Sequence, residues 1–369
     1  MKFGIIRERK SPPDRRVVLS PEACQKVLSS YKDAEIVVEP SPIRTYSEAD
    51  YKAAGIPVDT NMEQCDVLLG VKEVPIDALI RDKKYFFFSH TIKKQPYNRE
   101  LLQAILEKNI ELYDHEVITN AEGQRLVAFG RYAGIVGAYN GFRAFGLKFG
   151  LFNLPKAEVL PDQAALIAEL RNIDMPVCKI LLTGKGRVGN GAKEMLDGAG
   201  IDEVSVDEYL NKAPGRPVYC QIDVLDYNKR SYGKSGDLRN GDSQDGDSQG
   251  SVSRDSDSQG GDLKNGDGPQ KDNAGRNGHD TQDFFENPAA YESDFFRFAK
   301  VTDFFIAGHF YGQGAPYLFT REDAKHRDFK IKVVADVSCD IDGPVASTIR
   351  PSTIAEPIYG YDPETEQET

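Results

Sequence analysis

The stretch that decides the fold is residues 179–196, which read KILLTGKGRVGNGAKEML. An apolar segment typical of a β-strand, Lys179–Thr183, runs into glycines with G-x-G-x-x-G spacing, and apolar residues at helical spacing follow. Of the three glycines, Gly184 is expected to make a tight turn, Gly186 to let the backbone approach a pyrophosphate, and Gly189 to permit close helix–strand contact. The first N–H groups of the helix would then face the phosphates. The stretch therefore predicts a dinucleotide-binding domain.

An acidic residue after this helix bears on the choice of dinucleotide. The next predicted strand, EVSV, ends at Asp207, about 20 residues beyond the loop, where a carboxylate accepts hydrogen bonds from the ribose hydroxyls. Such a carboxylate repels a 2′-phosphate, which favours NAD over NADP. Arg187 lies inside the loop and could pair with a phosphate, so NADP stays possible. A glycine-rich turn without a ligand is the alternative.

Segments with strand-like and helix-like patterns alternate along the rest of the chain. This alternation predicts mostly parallel sheets with helices on both faces. Ser20 and Pro21 predict the start of one helix, and Asn98 is the expected cap of another. Five glycines between residues 130 and 146 fall roughly on one face of a predicted helix, which we interpret as a connection whose bare face lets two domains pack closely.

The length of 369 residues is enough for two domains. We predict an α/β chain with two Rossmann-like domains and a cleft between them. The first, substrate-binding domain covers residues 1–133 and is completed by residues 340–369, and the NAD-binding domain covers residues 134–339. Residues 231–282 are rich in Gly, Asp, Ser and Asn with almost no large apolar side chains, which predicts a disordered insert in the second domain.

Composition and charge exclude several classes of protein. The formal net charge is −12, which argues against binding to nucleic acid. No apolar run approaches the length of roughly 20 residues that a membrane helix needs, and the N-terminus does not resemble a signal peptide. The five scattered cysteines and five dispersed histidines predict reduced thiols and no metal site. We expect a cytoplasmic protein with small-molecule partners, while its oligomeric state is not predicted.

Ionisable residues stand at the ends of the apolar segments of the first domain. Burying charge costs several kcal/mol unless the charge is paired, so any one of these residues alone is most simply a structural ion pair. Together they suit one task, since arginines bind carboxylates and a lysine and a histidine transfer protons. The candidates are Arg16, Lys72, Glu73, His90, Glu116 and Arg125. We interpret His115 as structural and expect His309 near the cofactor.

Several long motifs carry a family resemblance. The segments GVKEVP, FFFSHTIKKQ, YDHEV, RLVAFGRYAG, LTGKGRVGNGA, PYLFTREDA and VVADVSCDIDGPVAST resemble saccharopine dehydrogenases of the lysine-forming type. They are also similar to the lysine–ketoglutarate reductase half of bifunctional aminoadipic semialdehyde synthases, within the wider alanine dehydrogenase and transhydrogenase superfamily. The resemblance covers nearly all of the chain except residues 231–282. Members of the family usually continue beyond the point where this sequence stops.

The resemblance implies a reversible reaction in which NAD oxidises saccharopine to an imine, which water splits into L-lysine and 2-oxoglutarate. It implies that Lys72 and His90 are the proton acceptor and donor, and that Arg16, Arg125 and Phe129 contact the substrate.

For the dinucleotide, the resemblance implies contacts from Gly186, Arg187, Asp207 and Asp336. Two alternatives remain open, namely an alanine dehydrogenase-like enzyme for a small amino acid and a catalytically inactive NAD-binding fragment.

Overall fold

The computed structural model describes residues 1–11, 13–231 and 278–369. These residues form two compact units, Met1–Ala128 and Phe129–Thr369. Each unit contains a five-stranded parallel sheet, which confirms the predicted α/β class. The predicted insert at residues 231–282 lies outside the described residues except at its two ends.

The first unit is a sheet of short, strongly apolar strands with helices between them. Its strand order is β2-β1-β3-β4-β5, and every neighbouring pair is parallel. The strands are β1 (Lys2–Ile5), β2 (Glu35–Val38), β3 (Val67–Leu69), β4 (Lys84–Phe87) and β5 (Glu111–Asp114). The helices are α1 (Pro21–Ser30), α2 (Glu48–Ala53) and α3 (Arg99–Glu107), with 3-10 turns at Met62–Gln64, Ile76–Ala78, Thr91–Lys93 and Pro96–Asn98.

The second unit surrounds a sheet with the order β12-β11-β6-β8-β7. Its helices are α4 (Gly130–Phe149), α5 (Gln163–Arg171), α6 (Arg187–Gly198), α7 (Val206–Asn211), α8 (Val224–Tyr227), α9 (Gly278–Glu286), α10 (Phe296–Ala299) and α11 (Arg321–Lys325), with 3-10 turns at Ala157–Val159 and Pro288–Ala290. The sheet strands are β6 (Lys179–Thr183), β7 (Asp202–Glu203), β8 (Val218–Ile222), β11 (Phe304–Ala307) and β12 (Val333–Asp336). Two antiparallel pairs join β9 (Asn228–Arg230) to β10 (Tyr291–Ser293) and β13 (Tyr361–Asp362) to β14 (Gln367–Glu368).

Burial explains why β6 and β11 occupy the middle of this sheet. Every residue of both strands is buried, as expected for a parallel strand that is covered on both faces. Each large apolar side chain that is fully buried contributes about 1.5–3 kcal/mol relative to exposure. The central strand β6 leads directly into the glycine loop, so this core fixes the position of the loop.

The helix starts predicted from the sequence are both found. Ser20 caps α1 by accepting a hydrogen bond from the Ala23 N–H group at 3.2 Å, and Pro21 is the first helical residue. Asn98 stands at the cap position of α3, but its side chain makes no capping hydrogen bond. Its Nδ2 instead donates to the carbonyl oxygen of His90 at 3.2 Å, so the residue serves the loop after β4 rather than the helix.

The glycine-rich helix α4 packs closely within the second unit, and its expected role between two domains stays a prediction. A Cβ atom added at Gly134 would lie 1.9 Å from the Val188 carbonyl oxygen, and one added at Gly141 would lie 2.5 Å from the Phe304 ring. The bare face therefore lets α4 approach α6 and β11 closely.

Residues 340–369 also group with the second unit, which differs from the predicted completion of the first domain. Glu366, in the β13–β14 turn, forms ion pairs with Arg321 at 2.9 Å and Lys325 at 2.6 Å, and both partners lie on α11. Helix α9 begins at Gly278, so it extends into the segment that the sequence predicts to be disordered. Among the described residues, no helix is both long enough and apolar enough to cross a membrane.

Candidate functional site

Three neighbouring parallel strands of the first unit end at one edge of the sheet, and a predicted site residue follows each of them. Lys72 follows β3, His90 follows β4 and Glu116 follows β5. Because carboxyl ends of adjacent parallel strands lie side by side, residues that are distant in sequence meet here.

The three side chains form a hydrogen-bonded chain. Lys72 Nζ lies 3.3 Å from His90 Nε2, and His90 Nδ1 lies 3.1 Å from Glu116 Oε2. An ionised carboxylate only accepts hydrogen bonds, so the hydrogen of a neutral His90 ring belongs on Nδ1, where it is donated to Glu116. His90 Nε2 then carries a lone pair that faces Lys72. This arrangement can pass a proton between the ammonium group and the imidazole.

Further charges surround this chain. Glu73 Oε1 lies 3.6 Å from His90 Nε2, and Glu73 Oε2 lies 3.4 Å from Lys10 Nζ. Burial lowers the pKa of Lys72 most, followed by the positive charges of Arg16 and Lys10. A lysine with a lowered pKa is more often neutral near physiological pH, which is the state that a general base requires.

Glu116 remains ionised although it is partly buried. Burial opposes ionisation, but the hydrogen bond from His90 and the charge of Lys93, whose Nζ lies 3.4 Å from Glu116 Oε1, lower the pKa of Glu116 overall. The carboxylate therefore can accept a hydrogen bond from His90 Nδ1 and orient the imidazole.

The two predicted carboxylate-binding arginines belong to the same region of the first unit. Arg16 Nε donates to Asp14 Oδ1 at 3.0 Å, and the positive charge of Arg16 reaches Lys72. The Arg125 guanidinium carbon lies 6.0 Å from the centre of the Phe88 ring, and the Lys72 ammonium nitrogen lies 5.5 Å from the same ring. The cluster thus combines two arginines with a lysine and a histidine that are in contact.

The backbone at His90 is held in an unusual conformation. Its φ angle is +56°, in the left-handed region that a residue with a side chain seldom adopts at a cost of about 1–3 kcal/mol. The Asn98 side chain holds the His90 carbonyl oxygen, and Ser89 beside it hydrogen bonds to Asp114. These contacts fix the turn that points His90 toward Lys72.

His115, the neighbouring histidine, is buried, and its Nε2 lies 3.1 Å from the carbonyl oxygen of Gly70. This contact with the backbone agrees with a structural role. Phe129 begins the second unit at the cap position of α4 and is 38% exposed. Its predicted contact with the substrate stays a prediction.

The glycine loop of the second unit has the geometry that its spacing predicts. Gly184 has φ +91°, and a Cβ atom there would lie 2.5 Å from the Gly308 carbonyl oxygen. A Cβ atom at Gly189 would lie 1.9 Å from the Gly184 carbonyl oxygen, whereas one at Gly186 has nothing within 4 Å. Gly184 and Gly189 therefore permit close packing, and Gly186 leaves open space at the N-terminus of α6, where Arg187 is the first residue.

The structure differs from the prediction at Asp207. Only Glu203 of the predicted strand EVSV belongs to β7, and Ser205 caps α7, in which Asp207 is an exposed residue of the first turn. Asp207 accepts a hydrogen bond from Asn211 of the same helix at 2.8 Å. These residues form a helix and not a strand because serine at the cap and two acidic residues after it stabilise a helix N-terminus.

The strand beside β6 on this side of the sheet is β8 and not β7. Directly after β8 comes Asp223, which caps the short helix α8. Gln221, near the end of β8, donates to the Gly184 carbonyl oxygen at 2.9 Å. Asp223 therefore lies at the end of the strand next to the one that leads into the glycine loop. No sequence pattern indicated it, because strand order decides which acid lies beside the loop.

On the other side of β6, polar residues gather at the ends of β11 and β12. His309 is buried, and its Nδ1 lies 2.9 Å from Thr183 Oγ1, while its Nε2 has no hydrogen-bond partner among the residues that the structure describes. Burial lowers the pKa of His309 to about 4, so the ring is neutral. Asp336 accepts hydrogen bonds from Ser338 at 2.5 Å and Thr348 at 2.6 Å.

The sequence reasoning passed over four charged residues of the first unit that support the cluster. They are Glu8, Lys10, Asp14 and Lys93. Asp14 and Lys93 are close in sequence to the recognised Arg16 and His90, and this proximity could have revealed them, whereas no local pattern indicates Glu8 or Lys10.

Comparison with known proteins gives matches to both parts of the chain. Residues 4–136 match the family model described as alanine dehydrogenase/PNT, N-terminal domain. Alpha-aminoadipic semialdehyde synthase of Arabidopsis thaliana is 24% identical over 98% of this chain and 34% of its own length. The mitochondrial alpha-aminoadipic semialdehyde synthase of Mus musculus is 25% identical over 98% of this chain and 38% of its own. The chain thus spans little more than a third of the length of these relatives.

Shorter relatives match as well. The saccharopine dehydrogenase (NAD(+), L-lysine-forming) of Candida glabrata is 27% identical over 54% of this chain and 58% of its own. Among solved structures, an L-alanine dehydrogenase is similar with a TM-score of 0.41 and 18% identity, covering 61% of this chain and 62% of its own. The recognised resemblance is therefore confirmed: the relatives of this chain include proteins named alpha-aminoadipic semialdehyde synthase and saccharopine dehydrogenase, and residues 4–136 match the N-terminal domain of the alanine dehydrogenase/PNT family.

Proposed function

We propose that this chain is a nicotinamide-dependent oxidoreductase that acts on the C–N bond of saccharopine, reversibly with L-lysine and 2-oxoglutarate. The observation that carries the proposal is the chain of contacts from Lys72 through His90 to Glu116. The names of the relatives support a dehydrogenase of an amino acid, and the saccharopine substrate is the finer part of the proposal.

The chemistry requires two proton transfers. A secondary amine must lose its proton before hydride can leave the adjoining carbon, and the amine that departs after hydrolysis must gain one. In our proposal Lys72 takes the first proton because burial and two neighbouring cations lower its pKa. His90, oriented by Glu116, activates the water that attacks the imine carbon and then protonates the leaving amine. Each positioned transfer contributes about 10²–10⁴-fold to the rate.

The arginines account for the choice of substrate. Saccharopine carries several carboxylates, and the guanidinium group binds a carboxylate through two parallel hydrogen bonds. Arg16 and Arg125 are the proposed carboxylate ligands. Asp14 already fixes the orientation of Arg16, which reduces the entropy that Arg16 loses when the substrate binds.

The second unit supplies the proposed dinucleotide site, and its residues fit the group. The open space at Gly186 and the N-terminus of α6 suit a pyrophosphate. Arg187 and Asp336 remain proposed contacts, and we assign the adenosine ribose to Asp223 in preference to Asp207. When bound, the nicotinamide ring accepts or donates the hydride.

An assay with two pairs of substrates tests the proposal. Purified protein is mixed with NADH or NADPH and either L-lysine plus 2-oxoglutarate or ammonia plus pyruvate, and the loss of reduced cofactor is followed by absorbance. We expect oxidation of NADH with lysine and 2-oxoglutarate only. Turnover with ammonia and pyruvate alone would establish the alanine dehydrogenase-like alternative that the family match allows. NADH binding without turnover of either pair would identify an inactive dinucleotide-binding protein.

A further inference from the structure

A partly buried carboxylate outside the proposed proton-transfer pair contacts the backbone of Lys72. Glu8 lies three residues after β1, which is the strand next to β3. Its Oε1 accepts a hydrogen bond from the Val71 N–H group at 2.7 Å, and its Oε2 accepts one from the Lys72 N–H group at 2.9 Å. Both oxygens of one carboxylate thus hold two consecutive amides, including that of the proposed base.

The location of these amides explains why they need a partner. Gly70 is the last residue of this segment whose N–H group donates to the neighbouring strand, to the Phe86 carbonyl oxygen at 2.8 Å. The next two amides have no strand to pair with, and an unpaired buried amide costs about 1–3 kcal/mol.

Glu8 is also electrostatically connected to the cluster. Burial raises its pKa, the two amides oppose this, and the charges of Asp14 and Arg16 act on it in opposite directions. Its own charge helps to raise the pKa of Arg16, although the Asp14 hydrogen bond contributes more. One carboxylate therefore contacts the proposed base through its backbone and influences a proposed substrate arginine through its charge.

From these contacts we infer that Glu8 is a positioning residue that fixes the backbone of Lys72 so that its ammonium group meets His90. The inference rests on the proposed function and deepens it by assigning the support of the general base. It follows from the geometry because a displacement of about 1 Å at a reacting group can cost about 100-fold in rate. The distance from Lys72 Nζ to His90 Nε2 is 3.3 Å, which leaves little tolerance for movement.

Two variants of Glu8 and one matched control test the inference. Glu8→Gln keeps the side-chain volume but has one acceptor oxygen, so one amide loses its partner. Glu8→Asp keeps two acceptor oxygens on a shorter side chain. The control is Glu39→Gln: Glu39 is a buried carboxylate that follows β2, accepts a hydrogen bond from the Arg7 N–H group at 2.8 Å and pairs with Arg9.

We expect kcat with lysine and 2-oxoglutarate to fall about 10- to 100-fold in Glu8→Gln, with NADH affinity unchanged and partial recovery in Glu8→Asp. Glu39→Gln lowers the melting temperature but keeps kcat. The inference is overturned if Glu8→Gln keeps kcat within twofold while folded, or if Glu39→Gln loses as much activity. A merely structural role for Glu8 would lower the melting temperature in the same way and leave kcat of the folded protein intact.

A measurement independent of activity separates this inference from the proposed function. Amide hydrogen exchange of Val71 and Lys72 is measured in wild type and in Glu8→Asp, the milder change, as well as in Glu8→Gln. We expect at least one of the two amides to exchange about tenfold faster in Glu8→Gln, with less acceleration in Glu8→Asp. Unchanged exchange at both amides refutes the positioning role. A wild type with slow exchange but no turnover of lysine and 2-oxoglutarate refutes the proposed function alone.

Discussion

The sharpest prediction concerns the pH at which Lys72 becomes a base. In the direction of the proposed saccharopine oxidation, we expect the rate to rise with pH as Lys72 loses its proton. Burial lowers the pKa of Lys72 most. The positive charges of Arg16 and Lys10 lower this pKa further, and the negative charge of Glu73 raises it. Removing Glu73 should therefore move the rising limb of the pH–rate profile to lower pH, and removing Lys10 should move it to higher pH.

The magnitude for Glu73→Gln follows from two contacts. Lys72 Nζ lies 3.3 Å from His90 Nε2, which lies 3.6 Å from Glu73 Oε1, so the two charges are at most about 7 Å apart. At 7 Å, two unit charges interact by about 0.6 kcal/mol in water and about 2.4 kcal/mol at an effective dielectric constant of about 20. One pH unit corresponds to about 1.4 kcal/mol. Since the side chains are partly exposed, we expect a shift of about half a unit to one unit.

The assay is the pH dependence of kcat/KM for saccharopine in wild type, Glu73→Gln and Lys10→Met. Lys72→Met should abolish the limb, which assigns it to Lys72. Glu111→Gln is the control, because Glu111 lies at the start of β5, at the end of the strand away from the cluster, and pairs with Lys84. A limb that moves upward in Glu73→Gln, or that moves in the same direction in both variants, would refute the electrostatic reasoning.

Three further predictions concern the second unit. Gly186→Ala should keep the melting temperature of the wild type but lose NADH binding. Gly189→Ala should fold poorly, because a Cβ atom at Gly189 clashes with the Gly184 carbonyl oxygen and one at Gly186 clashes with nothing. Equal melting temperatures of the two variants would contradict this prediction. Asp223→Ala should weaken NADH binding by about tenfold or more and reduce the discrimination against NADPH, whereas Asp207→Ala should change neither quantity. Both are measured by fluorescence titration with NADH and NADPH. The reverse result would assign the adenosine ribose to Asp207. The pKa of His309 is about 4 in the folded protein and near 6.5 when unfolded, so the unfolded state binds more protons between these values and stability falls by up to about 3 kcal/mol on acidification across that window. His309→Asn should flatten this part of the dependence of unfolding free energy on pH, and an unchanged slope in urea unfolding would count against the buried neutral ring.

Local pattern sufficed for the features that depend on near neighbours in sequence. The glycine spacing predicted the loop between β6 and α6, and Ser20 predicted the start of α1. Lys72 and His90 could be proposed from the sequence because each follows an apolar strand. Parallel pairing then brings such ends together.

Features that depend on strand order or on tertiary contacts could not be predicted in this way. Asp207 follows the next strand in sequence, but β8 is the spatial neighbour of β6, so Asp223 lies beside the loop instead. The clamp that Glu8 forms joins positions 63 and 64 residues apart, and no local pattern indicates it. The sequence predicted that glycines line one face of α4, but it did not predict that this face packs on α6 and β11 of the second unit.

The proton-transfer pair is the central claim, and the turnover of His90→Gln tests it most directly. Measured with lysine, 2-oxoglutarate and NADH, kcat should fall at least about 100-fold while the dissociation constant for NADH stays the same. His326→Gln, a change at an exposed histidine of the second unit, should match wild type in both quantities. A His90→Gln variant that keeps kcat within about threefold of wild type, or that loses NADH affinity along with its rate, would contradict the account.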